Sequence, residues 1–237
     1  RFGPHPLVLT RSGAGALTLI GAEIDVSEPV ELGLGAGAVA RVDVQVGPGG
    51  RRVLAALRED GIGAVNLVRT TRPLGGGPPR TRLLSRPLGV DIELEDRGMP
   101  DWLLASGDGD GAFAIWRDGT MERFAAIGER MELAERVRLT SGAVVTHARM
   151  ALGARTLLAG TEDGRLVGGF VARDPLSTNV DGASFVREHD FQVSGAPIYS
   201  IGIGTRDRTL VIGDHDGRAS IVHLTSHKRV AGLEGAT

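Results

Sequence analysis

Apolar and polar residues alternate along most of this chain in short stretches, and one arrangement of them occurs four times. Each copy has a compact apolar run, a short polar step containing Asp-Gly, and a second run rich in apolar residues. The copies are RVLAALREDGIGAVNLVR (52–69), WLLASGDGDGAFAIWRD (102–118), TLLAGTEDGRLVGGFVAR (156–173) and TLVIGDHDGRASIVHLTS (209–226). A degenerate copy, PLVLTRSGAGALTLIGAE (6–23), precedes them. A fixed period of this kind predicts a repeat architecture.

The centre of each copy is predicted to be a tight turn. Asp-Gly between two apolar runs is a strong hairpin signal, because a type I′ turn needs positive φ at both central residues. The glycines recur at intervals of 50, 53 and 53 residues. We therefore predict equivalent structural turns at Asp60 and Gly61, Asp110 and Gly111, Asp163 and Gly164, and Asp216 and Gly217.

A further strand is predicted before each clear copy, in AVARVDVQV, LGVDIELED, AVVTHARMAL and PIYSIGIG, since these segments alternate with period 2. With an outer strand after the copy, the unit has four strands in roughly 50 residues, the size of a propeller blade. The sequence therefore predicts an all-β fold, a β-propeller of about five WD-like four-stranded blades. The blades would form their own ring or part of a larger one, with residues 1–237 as a single domain.

One segment, MERFAAIGERMELAERVRL (121–139), is ambiguous between helix and strand. Its Glu, Arg, Met and Ala content favours a helix, and Met121, Phe124 and Ala125 have helical spacing. Its second half alternates with period 2 instead, and the repeat requires an outer strand at this place. We predict a strand.

Composition narrows the classes of function. The formal net charge is −2 and the pI is near 6.3, so no global basic field favours nucleic acid as a partner. The chain has no cysteine, which excludes disulfides and thiolate chemistry. Its 36 glycines and low aromatic content (4%) are typical of a fold with many tight turns.

No catalytic, cofactor or metal motif emerges from the sequence. SGDGDG (106–111) is similar to part of a calcium loop, but an EF-hand register would place Arg117 where the bidentate glutamate belongs. GLGAGA (33–38) precedes a strand instead of following one, unlike a dinucleotide fingerprint. His223 and His227 are four residues apart on a strand and a turn, where their side chains do not converge. We therefore expect no enzyme activity, no cofactor and no metal.

One segment, RTTRPLGGGPPRTRLLSR (69–86), concentrates arginine around a Gly/Pro-rich centre. Because Pro and Gly break strands, we predict a long connection between blades. Clustered arginine can contact an acidic partner, a phosphate or anionic head groups. The candidate partner-contact residues are Arg69, Arg72, Arg80, Arg82 and Arg86.

The blade pattern resembles divergent WD repeats, most clearly in GDGDGAFAIWRDGTMERF, although the Gly-His and Trp-Asp dipeptides are absent. In addition, LVIGDHDGRASIVHLTSHKRV resembles the soluble insert of PstC-like bacterial phosphate ABC transporter permeases. The matching residues are Asp214 or Asp216, Gly217, His223, Thr225, Ser226 and Arg229. That resemblance implies a soluble fragment of a longer inner-membrane protein, exposed to the periplasm. Its implied role is docking or regulation, with other transporter subunits or the substrate-binding protein as partners.

Two alternatives from other classes remain open at this point. A free-standing propeller enzyme of the lyase or lactonase type would need convergent Asp, Glu, Asn or His at the mouth of its channel. A cytoplasmic WD-like interaction scaffold would need none of these. Apolar spans of about 20 residues flanking the domain would favour the transporter interpretation.

Overall fold

The computed structural model describes residues 7–11, 17–21, 30–31, 34, 37–47, 51–71, 80–93, 97–204 and 208–233. In these ranges the chain folds into five β-sheets, four of which have four antiparallel strands. Within each sheet, neighbouring strands are also neighbours along the chain. The prediction of an all-β propeller with about five blades is confirmed.

The strands are as follows. The first sheet has β1 (Leu7–Arg11), β2 (Leu17–Gly21) and β3 (Val30–Glu31), and the second has β4 (Val39–Val46), β5 (Arg52–Arg58), β6 (Ile62–Thr71) and β7 (Arg80–Gly89). The third has β8 (Trp102–Ala105), β9 (Gly111–Ile115), β10 (Thr120–Ile127) and β11 (Arg130–Arg138). The fourth has β12 (Val145–Ala151), β13 (Thr156–Thr161), β14 (Arg165–Arg173) and β15 (Ala183–Gln192). The fifth has β16 (Ile198–Ile203), β17 (Thr209–Asp214), β18 (Ala219–His223) and β19 (Lys228–Leu233), with a 3-10 turn at Leu224–Ser226.

The central turns of the repeats have a different geometry from the one predicted. Positive φ occurs at the glycine alone: it is 78° at Gly61, 78° at Gly164 and 75° at Gly217, while the preceding aspartates keep negative φ. The glycine N–H bonds to the carbonyl three residues earlier, as from Gly164 to Thr161 at 3.1 Å. The loops of the second and fourth sheets have three residues and end in the left-handed glycine, and in the fifth sheet Arg218 follows Gly217 before β18 begins, so the type I′ prediction is wrong.

In the third sheet the turn lies two residues before the predicted position. Gly109 has a φ of 78°, whereas Gly111 is the first residue of β9. The Ser106 hydroxyl accepts the Gly111 N–H at 2.8 Å and donates to the Asp108 carboxylate at 2.5 Å, and the Ser106 N–H donates to the Gly111 carbonyl at 2.9 Å. These bonds hold Gly111 in the strand and Asp108 in the turn. Asp108 and Gly109 therefore form the turn, and the prediction for Asp110 and Gly111 is wrong.

The third sheet also contains different strands from those predicted. No strand forms over residues 90–93 of LGVDIELED, because β7 extends to Gly89, where it pairs with Ile62. The fourth strand comes from the other end of the repeat, where 121–139 is mostly covered by β10 and β11. The choice of strand over helix for this segment is confirmed.

The chain divides into two compact units, each with its own buried residues. The first comprises Arg1–Met99, Leu103–Ala112 and Phe124–Glu132, and the second comprises Pro100–Trp102, Phe113–Arg123 and Leu133–Thr237. In the first, Leu54, Ala56 and Ala64 pack with Leu34. In the second, the fourth and fifth sheets bury a cluster that includes Leu158, Leu166, Ile198, Ile201 and Leu210. The single-domain prediction for residues 1–237 stays a prediction.

Candidate docking loop on the fourth sheet

Residues 174–182 connect β14 to β15 and form a closely hydrogen-bonded loop. The Asp174 carboxylate accepts the Leu176 N–H at 2.9 Å and the Ser184 hydroxyl at 3.1 Å. The Ser177 N–H donates to the Asp174 carbonyl at 3.0 Å, which closes the first turn. Asp and Ser favour such turns because their side chains bond to nearby backbone groups.

The second half of the loop converges on one carbonyl oxygen. The Ala183 carbonyl accepts the Asn179 side-chain amide at 2.7 Å and the Ser177 hydroxyl at 3.2 Å. It also accepts an Arg123 N–H at 2.8 Å. Three donors on one acceptor fix the point where the loop enters β15.

Arg123 on β10 anchors the end of this loop through contacts with Asp181 and Ala183. Its side chain is 2% exposed and forms two hydrogen bonds to the Asp181 carboxylate, at 2.6 and 3.1 Å. It also pairs with Glu135 on β11, whose carboxylate accepts the Phe185 N–H at 2.8 Å. A buried guanidinium is stable here because two carboxylates and a carbonyl occupy its donors.

The electrostatics agree with this arrangement. Burial by itself would lower the pKa of Arg123, but its bonds to Asp181 and Glu135 outweigh burial and raise the pKa. The hydrogen bond from Arg123 is the largest effect on Asp181 and lowers the pKa of that carboxyl group. Both groups therefore stay charged across the neutral range.

The loop presents apolar side chains to solvent. Leu176 is 91% exposed and Val180 is 54% exposed. On the adjoining strands Phe170 and Val186 are register partners and are 37% and 38% exposed. Scattered single apolar residues are normal on a surface. Leu176 and Val180 are therefore exposed apolar side chains on a loop whose conformation is fixed by hydrogen bonds.

Sequence reasoning missed this loop. DPLSTNVDG has the composition of a turn, and the signal that could have identified it is two apolar residues inside a segment of Asp, Ser, Asn and Gly. The anchor Arg123 was also missed, because its carboxylate partners are distant in the sequence.

The arginine-rich segment is part of one hairpin in the second sheet. Arg69 on β6 is the register partner of Arg82 on β7, and pairing continues to Thr71 and Arg80. The prediction of a long connection between blades is therefore wrong. β-Branched and aliphatic residues on both sides of the Gly/Pro-rich centre favour strands. Pro87 is tolerated because β7 is an edge strand.

The predicted arginine contacts are distributed unequally. Arg86 is turned inward: its side chain is 15% exposed and donates to the Gly109 carbonyl at 2.9 Å and to the Asp110 carboxylate at 3.2 Å. Arg82 is exposed. Arg69 and Arg80 are placed by their backbone alone, and Arg72 lies outside the described residues. Their role in partner contact stays a prediction.

The turn residues have structural roles where they are described. The Asp60 carboxylate accepts the Ile62 N–H at 3.2 Å, and Asp163 accepts the Thr161 hydroxyl. Asp216 pairs loosely with Arg218, at 3.7 Å. These contacts lie within the hairpins that the turns close.

Histidines provide the other unusual cluster. His223, which the sequence analysis considered together with His227, contacts the Ser226 hydroxyl at 3.1 Å. His227 contacts His189 on β15. In the described part of the chain, no group of three or more His, Cys, Asp or Glu could hold a metal ion. The same residues contain no helix that is long and apolar enough to cross a membrane.

Comparison with known proteins supports the fold. No protein-family model and no curated protein sequence matches the chain. Among solved structures, the chain is similar to dihydro-heme d1 dehydrogenase NirN in complex with DHE (TM-score 0.62, 14% identity, covering 100% of this chain and 45% of NirN). It is also similar to the β-propeller domain of Myceliophteria thermophila Cps50 (Swd1) (TM-score 0.51, 13% identity, covering 98% of this chain and 84% of that domain). The chain thus spans less than half the length of NirN. At this level of identity, the shared property is the β-propeller fold.

Proposed function

We propose that this chain is a non-enzymatic propeller scaffold that binds a protein partner through the loop at 174–182. The observation that carries the proposal is the combination of a fixed loop and exposed apolar side chains. Leu176 is 91% exposed on a loop that the buried Arg123 holds through Asp181. Because the loop is already ordered, binding a partner there costs little conformational entropy.

The parent system that we propose is a bacterial phosphate ABC transporter permease, with this domain on the periplasmic face of the inner membrane. The support is the segment LVIGDHDGRASIVHLTSHKRV (210–230), which resembles part of PstC-like permeases. Its matching residues lie at both ends of β18: Asp214 and Gly217 precede the strand, and His223 ends it, where it contacts Ser226 at 3.1 Å and Thr225 at 3.3 Å. The partners would then be other transporter subunits or the substrate-binding protein.

We do not propose that the domain senses phosphate. A specific phosphate site needs several convergent donors held in place, such as paired arginines or a helix N-terminus. The side chain of Arg86 is already committed to Gly109 and Asp110. Isothermal titration at physiological salt should detect no saturable phosphate binding. A stoichiometric micromolar signal would instead identify a sensor.

The docking test uses the purified phosphate-binding protein and the transporter membrane subunits as candidate partners. Surface plasmon resonance would compare the natural chain with the double variant Leu176→Ser/Val180→Ser. We expect saturable binding by the natural chain, and at least about tenfold weaker binding by the double variant, because the exposed apolar contacts are lost.

The control is Leu133→Ser, a substitution at another exposed apolar residue of the same compact unit, 45% exposed on β11. It should leave binding unchanged. Equal binding by the double variant and the natural chain would contradict docking at this loop. Binding of neither candidate partner would contradict the transporter assignment and favour a scaffold in another compartment.

A further inference from the structure

The corner between β18 and β19 is attached to the rest of the fifth sheet at its start and to the fourth sheet at its end. At the start, Leu224 is fully buried and its N–H donates to the Arg208 carbonyl at 2.8 Å. At the end, Nε2 of His227 lies 2.8 Å from Nδ1 of His189 on β15. β19 begins at the next residue and is the last strand in the order of its sheet. The His227 side chain therefore connects the start of β19 to the fourth sheet.

The backbone of His227 depends on the contacts of its ring. Its φ is 51° and its ψ is 31°, a left-handed conformation that residues with a Cβ atom rarely adopt. The ring stacks on Phe191, with centroids 4.8 Å apart, and meets the His189 ring edge to face. These contacts offset the cost of the left-handed backbone. Losing them would favour a different path of the chain at His227.

The hydrogen bond between the two rings depends on how many protons they carry. A neutral imidazole has one donor and one acceptor nitrogen, whereas an imidazolium has two donors. Two neutral rings, or one neutral and one protonated ring, can share a proton across the 2.8 Å separation. Two protonated rings have no acceptor between them and repel each other. The contact therefore survives the first added proton and is lost with the second.

The surroundings of His189 favour its neutral form. His189 is 5% exposed, and this burial lowers the pKa of its ring. The nearby His227 lowers the pKa further, and Glu188 partly opposes the shift. The folded contact therefore binds fewer protons than separated rings would, so it is stable at neutral pH and weakens as the pH falls.

The other charged groups next to the contact are paired or positive. On β15, the Asp190 carboxylate accepts N–H groups from Arg165 and Arg187. On β14, the register partner of His189 is Gly168, which has no side chain. The adjacent titratable groups of the fifth sheet are the register partners His223 and Lys228. Glu188 is therefore the carboxylate that acts on His189.

We propose that the His189–His227 contact is a latch that opens when both rings are protonated and releases β19 from the fourth sheet. Leu224 stays in the buried cluster that the fourth and fifth sheets share, so the chain is freed only beyond it. Opening uncovers the Phe191 ring and the outer edge of β18. The proposal does not depend on the 174–182 loop, which joins β15 at its other end.

Hydrogen–deuterium exchange at about pH 7 and about pH 5, on either side of the ordinary histidine pKa, tests the latch. After correction for the intrinsic effect of pH on exchange, peptides covering 227–233 should lose protection about tenfold, the effect of losing one hydrogen bond. Peptides covering β13 should stay protected. The proposal is overturned if acid leaves 227–233 protected, or if both segments lose protection together.

Two substitutions at the contact have opposite expected effects. His189→Gln retains an acceptor oxygen that does not titrate, so a protonated His227 can still donate to it. In this variant 227–233 should stay protected at about pH 5. His227→Asn suits the left-handed backbone but is too short to reach His189, so 227–233 should lose protection already at neutral pH.

His223→Gln is the matched control, because His223 lies in the same corner but contacts Ser226 and Thr225 instead of the fourth sheet. It should show the acid response of the natural chain. An acid response that persists in His189→Gln, or that disappears in His223→Gln, contradicts the latch. Natural protection of 227–233 in His227→Asn at neutral pH would show that the contact does not hold β19.

Discussion

His189 Nδ1 on β15 lies 2.8 Å from His227 Nε2, where the chain enters β19. The two rings meet edge to face, with centroids 5.1 Å apart, and Phe191 stacks on His227 at 4.8 Å. One of the two nitrogens must accept the hydrogen bond, so the contact requires at least one neutral imidazole. Burial lowers the pKa of His189, the nearby His227 lowers it further, and Glu188 partly opposes the shift.

This contact predicts that the fourth and fifth sheets are less stable in acid. The pKa of His189 is lower in the folded chain than in the unfolded chain, where it is about 6.5. The unfolded chain therefore binds more protons as the pH falls below about 6.5, and stability decreases until the pH reaches the folded pKa. Urea unfolding between neutral and mildly acidic pH should show this decrease.

His189→Gln should reduce the decrease, whereas His215→Gln, at an exposed histidine, should not. Burial also lowers the pKa of His147, with help from Arg149, so the natural chain carries a second contribution of the same sign. The measurement is therefore the difference between the two variants. Identical pH profiles would show that the His189–His227 contact does not affect stability.

The buried Arg123 should be the most sensitive charged residue in the second compact unit. Arg123→Met leaves the carboxylates of Asp181 and Glu135 partly buried without their cation. We expect a loss of about 3–5 kcal/mol of unfolding free energy, as for other broken buried pairs. Arg130→Met is the control, because the 70% exposed Arg130 pairs with Glu132 near the surface and should contribute less than about 1 kcal/mol. Equal effects in chemical denaturation would contradict a special role for Arg123.

Substitutions at two turn glycines should distinguish the cost of a left-handed backbone from the cost of a steric clash. Gly164 and Gly217 have φ values of 78° and 75°. A Cβ atom on Gly164 would lie 2.1 Å from the Ser194 carbonyl oxygen, whereas one on Gly217 would meet nothing within 4 Å. Gly217→Ala should cost about 1 kcal/mol for its left-handed backbone alone. Gly164→Ala should cost about 3 kcal/mol, because the backbone must also move. Equal melting temperatures for the two variants would show that the Ser194 contact relaxes freely.

Removal of the fifth sheet should unfold the fourth. Deleting residues 195–237 uncovers Leu158 and Leu166, which are fully buried against Ile198, Ile201 and Leu210. Repeat proteins gain much of their stability from such interfaces between neighbours. We expect an insoluble or molten product with little near-UV circular dichroism. A truncated chain that melts sharply at the temperature of the full chain would contradict packing between the sheets.

The sequence predicted the fold because period-2 alternation and turn glycines are local signals. β13 and β17 lie where the apolar runs TLLAGT and TLVIGD placed them. The errors arose where one local signal was compatible with two registers. Asp108-Gly109 and Asp110-Gly111 are equivalent as turn dipeptides, and the hydrogen bonds of Ser106 favour the first.

The site was less predictable, because it depends on contacts between residues distant in the sequence. Arg123 on the third sheet bonds to Asp181 and Ala183, where the chain enters the fourth sheet. Nothing near Arg123 in the sequence indicates these partners. The arginine-rich segment was predicted from its composition to contact a partner, yet Arg86 forms contacts inside its own compact unit. Local composition could not distinguish an exposed arginine from one that packs inward.

The order of strands within the sheets has a consequence for the folding route. Because each strand pairs with its neighbours along the chain, every sheet can form by successive closure of hairpins. Hairpins of this kind close in about 1–10 μs, far faster than pairings that must bring distant segments together. The slow step should therefore be the packing of finished sheets, such as the fourth against the fifth. A ribosome that releases the chain from its N-terminus would supply these sheets one at a time, each able to form before the next is made.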